Sequence, residues 1–132
     1  MLSYEDVAAA IDWLEAAFGF REDGERYTDS EGRVTHAELS LDGASVMHGW
    51  PGPEYRSPAH HAEECEQARR WLAVPWVVDG VHVSVDDVDG HCEHARAAGA
   101  TILREPEDQP FGRLYSAADL EGHRWMFMQP AA

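Results

Sequence analysis

The chain has no lysine. Its 10 basic residues are all arginine and stand against 25 Asp and Glu, a formal net charge of −15. A surface so poor in positive charge repels phosphate backbones and anionic lipid, which argues against nucleic-acid and membrane-surface roles. It would steer in a cationic ligand or partner, although keeping the protein in solution is the simpler reading of the charge. Cysteine is scarce as well. Cys65 and Cys92 are too few for a disulfide framework, and reduced thiols in a cytoplasmic protein are the simpler reading. No apolar run approaches the roughly 18–20 residues of a membrane helix. The opening MLSYEDVAAA lacks the basic start and apolar stretch of a secretion signal. Also missing are a glycine-rich phosphate loop, a Cys-x-x-Cys pair and a nucleophile-elbow serine.

What is present is ordinary globular material. The 132 residues are 44% hydrophobic, enough for one domain or two small packed modules. Residues 6–18 have a helical period, with Asp6 as cap, Val7, Ile11, Leu14 and Phe18 on one stripe, and Gly19 where a helix ends. Strand-like runs follow at 26–28 and 33–41, joined by the turn Asp29-Ser30-Glu31-Gly32. Asp42-Gly43 then predicts a two-residue hairpin into residues 44–48.

The second half repeats this order. Residues 81–85 alternate as a strand, and Asp87 can cap a helix running to Ala98, before Gly99. Residues 101–104, 112–117 and 123–128 read as strands, the last two joined by Glu121-Gly122. Glu5-Asp6-Val7 resembles Asp86-Asp87-Val88, Gly32-Arg33 resembles Gly112-Arg113, and Gly43 with Met47 matches Gly122 with Met126. Such a constant order predicts two copies of one strand–helix–three-strand module. The expected fold is α+β: two βαβββ modules, residues 1–49 and 80–132, forming a curved mixed-sheet cleft. The first strand is squeezed into the few residues before Asp6. Between the modules lies an insert, residues 50–79, with a short helix opened by Ser57-Pro58. His60 and His61 fall at its exposed start, and Trp50, Tyr55, Trp71 and Trp76 could lid a pocket or anchor the insert, anchoring being the simpler role.

Four segments carry a resemblance: VAAAIDWLEAAFGFRE (residues 7–22), GRVTHAELSLDGASVMHG (32–49), VSVDDVDGHCEHARAAGATILRE (83–105) and QPFGRLYSAADLEGHRWMFM (109–128). In this order they resemble the vicinal oxygen chelate superfamily, which includes glyoxalase I, bleomycin-resistance proteins and extradiol dioxygenases. The last segment is most similar to the glyoxalase-like, bleomycin-resistance branch. The resemblance implies paired modules, a cleft for a small molecule, and a homodimer that completes its clefts between chains. In metal-using members, His, Gln or Glu on the first and last strands of each module hold the ion. Carried over by motif, one such position precedes Met1 and the others fall on Met47, Gly80 and Met126. None suits a hard or borderline ion, so no cofactor is expected. A one-residue shift at the hairpin would put His48 in place of Met47, which keeps a divalent metal open.

Strand alternation gives an independent view of the cleft. It turns Val81, Val83, Val85, Ala37, Leu39, Trp125 and Phe127 toward the helices. The other face is left with His36, Glu38, Met47, His82, Arg124 and Met126 as candidate ligand-binding residues, with His48 as the shifted alternative. His36 and Glu38 could equally be solvated partners, and His82 a hydrogen-bonded structural histidine. His91 and His94, flanking Cys92, are expected to face solvent.

The leading expectation is a protein that binds and sequesters a small molecule such as a toxic or antibiotic compound. The alternative is an enzyme: a metal-dependent lyase, isomerase or dioxygenase with relocated ligands, or a metal-free acid–base catalyst using His82 or Glu38. A degenerate module kept for protein interaction ranks third.

Overall fold

The computed structural model describes residues 1–74 and 80–131. Trp76, counted above with the insert's aromatic residues, lies outside them. The first module comprises β1 (Leu2–Ser3), α1 (Val7–Phe18), β2 (Arg21–Glu22), β3 (Tyr27–Thr28), β4 (Val34–Leu41) and β5 (Ala44–Gly49). Its helix begins where the Asp6 carboxylate accepts from the Ala9 N–H, and ends at Gly19 with φ 80°. Asp42 and Gly43, at φ 49° and 83°, both take the left-handed backbone of a tight hairpin turn. The β1 strand crosses over α1 to run parallel with β5, which pairs antiparallel with β4.

The insert holds two helices, α2 (Pro58–Glu64) and α3 (Glu66–Leu72). The second module follows as β6 (Gly80–Ser84), α4 (Val88–Ala97), β7 (Thr101–Gln109), β8 (Gly112–Ala118) and β9 (Arg124–Pro130). Asp87 caps α4 by accepting from the Gly90 N–H. The two sheets share one plan, β1-β5-β4-β2 with β3 also on β4, and β6-β9-β8-β7, each with a parallel pair at its first edge. The fold is therefore α+β and built of two like modules, as the sequence repeat predicts.

Three local differences have physical reasons. The two-residue β2 is too short to show an alternation of its own and is held by pairing with Ser40 and Leu39 of β4. The expected strand ending at Arg104 continues to Gln109 through Pro106, because β7 is an edge strand and a proline there removes no ladder bond. The single expected insert helix breaks at Cys65, whose backbone is extended at φ −135° and ψ 115°.

Between the sheets lies one core. Val7, Ile11 and Leu14 of α1, Leu39 of β4, Val83 of β6, Cys92 of α4, and Trp125 and Phe127 of β9 belong to the same buried cluster. The Phe18 ring meets Phe127 edge-on at 4.8 Å between centroids, and Phe20 lies 5.2 Å from Trp125. Aromatic side chains of the first module thus pack on the inner face of the second sheet. The α4 histidines join the helices: His91 Nε2 donates to the Phe18 carbonyl and His94 Nε2 to the Ala16 carbonyl, each at 2.7 Å. These carbonyls end α1 and have no partner within it. His91 is therefore half-buried, with Tyr115 donating to its Nδ1 at 2.6 Å, and does not face solvent as expected.

A buried carboxylate ties the modules. Asp119, 7% exposed, accepts from the Tyr4 hydroxyl at 2.6 Å and the Trp125 Nε1 at 3.0 Å. Its other oxygen accepts from the Glu121 and His123 N–H groups. Glu121 in turn accepts from the Glu5 and Asp6 N–H groups at 2.7 and 3.0 Å, and His123 Nε2 donates to the Ser3 carbonyl. The turn between β8 and β9 is thereby bonded to the start of the first module. Among the described residues no helix is long and apolar enough to cross a membrane.

Replacing Asp119 would strand the buried Tyr4 hydroxyl and Trp125 indole N–H together. Asp119→Ala should therefore cost about 3 kcal/mol and lower the melting temperature by roughly 10 °C. Arg113→Gln, which removes exposed ion pairs with Asp89 and Asp108, should leave the melt almost unmoved. Parallel thermal and urea melts of the two variants make the comparison.

Candidate functional site

The register of the sheets places the sequence-derived residues. On β4 and β5, Glu38 lies opposite Met47 and His36 opposite Gly49, while Tyr27 of β3 stands beside His36 with ring centroids 5.8 Å apart. Their strand neighbours Ala37 and Leu39 are fully buried in the core. His36, Glu38 and Met47 consequently share the outward face of the first sheet. On β6 and β9, His82 lies opposite Met126 and Gly80 opposite Arg124, with Val83, Trp125 and Phe127 turned inward. His82, Arg124 and Met126 form a second group, on the outward face of the other sheet. Because the inner faces share the core, the two groups point away from each other within one chain. The structure brings each trio together but not the two trios.

His48 belongs to neither group. Adjacent to Met47 on β5, it turns inward, is 0% exposed, and packs near Tyr4 and Trp125. Neither ring nitrogen has a hydrogen-bond partner among the described residues. Burial, helped by His123, the N-terminus and His36, pushes its pKa down to about 4, so the ring is held neutral. The positions where metal-using relatives of this architecture place ligands carry the thioethers of Met47 and Met126 and the bare backbone of Gly80. Those groups do not fit a divalent ion that prefers oxygen or imidazole. Nor do any three His, Cys, Asp or Glu side chains among the described residues converge as a metal-binding group.

The substantial cavity lies where the insert meets the second module. It measures about 620 Å³. Tyr55, Ala68, Trp71 and Leu72 supply apolar surface, and Arg56, His61, His123 and Arg124 supply polar groups. Several contacts build it. Ser57 caps α2 by accepting from the His60 N–H. The Tyr55 hydroxyl donates to the Ser3 carbonyl at 2.9 Å, tethering the insert to β1. At the other wall the Ala59 N–H donates to the Glu121 carbonyl at 2.9 Å. This approach is so close that a Cβ on Gly122 would stand 2.7 Å from the Ala59 nitrogen. Arg124, 6% exposed, donates through Nη1 to the Val74 carbonyl at 2.6 Å and through Nη2 to the Leu72 carbonyl, closing the end of α3 onto β9.

Of the sequence-derived candidates, Arg124 reaches this cavity. Sequence reasoning missed Arg56, His61 and Cys65 as its walls and treated Tyr55 and Trp71 as anchors first. Tyr55 does anchor, through Ser3, and Trp50 lies under the Arg33 guanidinium at 4.1 Å. Trp71 does not: it is 51% exposed at the cavity. The concentration of aromatic residues in the insert was the signal available.

Comparison with known proteins follows the same lines. A model of the Glyoxalase/Bleomycin resistance protein/Dioxygenase superfamily matches residues 1–127. An uncharacterised protein of Mycobacterium tuberculosis is 32% identical over 134 residues, spanning 98% of this chain and 71% of its own length. A Mycobacterium bovis protein is equally identical, with 80% of its length covered. Among solved structures, TioX from Micromonospora sp. ML1 is 36% identical with a TM-score of 0.70, covering 99% of this chain and 93% of its own. TnmS3, an antibiotic binding protein from Streptomyces sp. CB03234, shares the fold at 21% identity and a TM-score of 0.65, covering 98% and 93%.

The inward ring of His48 has a measurable consequence. With its folded pKa near 4 and an ordinary value of 6.5, the unfolded chain binds a proton there before the folded one does. Its contribution is complete above pH 6.5 and drains away as pH falls toward 4, about 3 kcal/mol in all. Urea melts from pH 7 to pH 4 should show this slope in the native chain and a shallower one in His48→Leu. Equal slopes would mean that His48 titrates normally.

Proposed function

The chain belongs to the glyoxalase, bleomycin resistance protein and dioxygenase superfamily, and from that premise we propose that it captures a small organic molecule, an antibiotic or other toxic compound, without transforming it. The cavity between the insert and β9 carries the reading. Its volume of about 620 Å³ is that of a drug-sized ligand site, and its walls are mainly apolar with a few converging polar groups. The likeness to TnmS3, described as an antibiotic binding protein, points the same way. The residues at the family's metal positions favour binding by shape and polar contact over metal-assisted chemistry, so no cofactor is invoked.

The outward faces extend the same reading. His36, Glu38 and Met47 on one sheet, and His82 and Met126 on the other, are walls that lack an opposite side among the described residues. Met47 is 48% exposed there. Pairing of two copies would set the first face of one chain against the second face of the other, so a homodimer with its ligand held near Arg124, His82 and Met126 is part of the proposal. A cytoplasmic location, with Cys65 and Cys92 left reduced, completes it.

Native mass spectrometry of protein purified without chelator should reveal a species near twice 14.7 kDa carrying a co-purified organic molecule. Trp71→Ala should weaken that capture about tenfold, while the melting temperature stays within a few degrees of native because the ring is half-exposed. Stoichiometric zinc, nickel, manganese or iron, lost on His36→Ala or His82→Ala, would instead establish a relocated metal site and overturn capture without chemistry.

A further inference from the structure

The cavity inverts the charge of the molecule that contains it. The chain carries 25 acidic residues, yet among the described residues lining the cavity none is Asp or Glu, while two are Arg and two are His. Six of the ten arginines, Arg26, Arg33, Arg70, Arg96, Arg104 and Arg113, each form an ion pair with a carboxylate, and Arg21 and Arg69, which do not line the cavity, form none among the described residues. Arg56 and Arg124 form none with the described residues. Their partners are peptide carbonyls, those of Pro53 and Tyr55 for Arg56 and of Leu72 and Val74 for Arg124. A carbonyl fixes a guanidinium in place without cancelling its charge. Arg124 also holds that charge at 6% exposure, where water screens it little.

The nearest carboxylates stand behind this wall, where burial and then their own charge raise the pKa of Tyr55. They are already engaged: Asp119 accepts from Tyr4 and Trp125, Glu121 from the Glu5 and Asp6 amides, and Glu5 faces His60. At physiological salt the field of an exposed carboxylate decays over about 8 Å, so charges on helix faces and turns contribute little inside a cavity whose own walls are cationic. The remaining wall is aromatic and apolar, with Trp71 51% exposed beside Tyr55, Ala68 and Leu72. A flat ring gains stacking and burial against such a wall. A carboxylate or phenolate on that ring would lose its hydration on entering and recover it from a planar donor fork, which a guanidinium supplies.

We infer that the cavity selects flat aromatic molecules bearing a negative charge, an aromatic carboxylate or phenolate, with the ring against Trp71 and Leu72 and the anion against Arg124 and Arg56. This rests on the cavity being the ligand site and adds to it the sign of the ligand, opposite to the cation that the net charge alone would steer in. Arg124 then has two tasks, since the same side chain ties α3 to β9 and meets the anion.

Three probes with one ring system separate the contributions: 1-naphthoate, 1-naphthalenemethanol and 1-naphthylmethylammonium, titrated calorimetrically into the full chain. Naphthoate should bind at least about tenfold more tightly than the alcohol, and the ammonium more weakly than either. Arg56→Gln should bring naphthoate toward the alcohol while leaving the alcohol within about twofold, and Arg124→Gln should do so more strongly. Because Arg124 also holds α3, Arg56→Gln, which loses only bonds to carbonyls one and three residues away in its own loop, is the variant that reads charge with the smaller change to the wall. Trp71→Ala should weaken all three probes alike. Equal binding of the three probes, a preference for the ammonium, or a naphthoate preference that survives Arg56→Gln and Arg124→Gln combined would overturn the anion selectivity and leave small-molecule capture standing. Failure of all three to bind would remove the cavity as a ligand site, and the selectivity with it.

Discussion

Asp119 accepts hydrogen bonds from a phenol, an indole and two backbone amides, and most of the tertiary arrangement follows from keeping those four donors in place. A carboxylate excluded from water is costly unless its oxygens are satisfied. Satisfying it requires Tyr4 from the start of the first module and Trp125 from the last strand of the second. Tyr4 is suited to the task, since burial and the adjacent carboxylate raise its pKa and keep the hydroxyl a donor. The neighbouring Glu121 repeats the device on the Glu5 and Asp6 amides at the entrance to α1, with burial raising its own pKa. Two modules that could in principle drift apart are thus bonded at one turn.

That turn also decides where the cavity lies. With β1 and the β8–β9 turn locked together, the helices and the inner sheet faces are committed to a common core, and the alternate residues of every strand are left outward. The first outward face bears His36, Glu38 and Met47, and the second bears His82 and Met126. The insert is fastened over the end of the second by Arg124 bonds to carbonyls and by Tyr55 on Ser3. The same turn touches α2 through Glu121 and Gly122, so the junction and the cavity share a wall.

Much of the fold is legible in the residues because it depends on local chemistry. Asp6 and Asp87 cap helices by bonding amides three residues on, and Asp42-Gly43 accepts positive φ, whatever the rest of the chain does. The alternation that turns Ala37 and Leu39 inward and His36 and Glu38 outward is likewise a property of a strand. The two-residue β2 and the extension of β7 past Pro106 are not local in this sense: each exists because a neighbouring strand offers its ladder. His91 was misjudged for the same reason, since its partners are the Phe18 carbonyl and the Tyr115 hydroxyl, both far along the chain.

The candidate site divides along that line. By itself the sequence determined two copies of one module, the family they resemble, and which side of each strand a side chain would take, because periodicity, caps and turns act over a few residues. Only the tertiary structure decided that the two outward faces look in opposite directions and that His48 is sealed beside Trp125. It also decided that a cavity with cationic polar groups opens beneath an acidic surface. These depend on contacts between residues separated by tens of positions, such as Arg124 with Leu72 and Tyr55 with Ser3, and on the exclusion of water that only packing can produce.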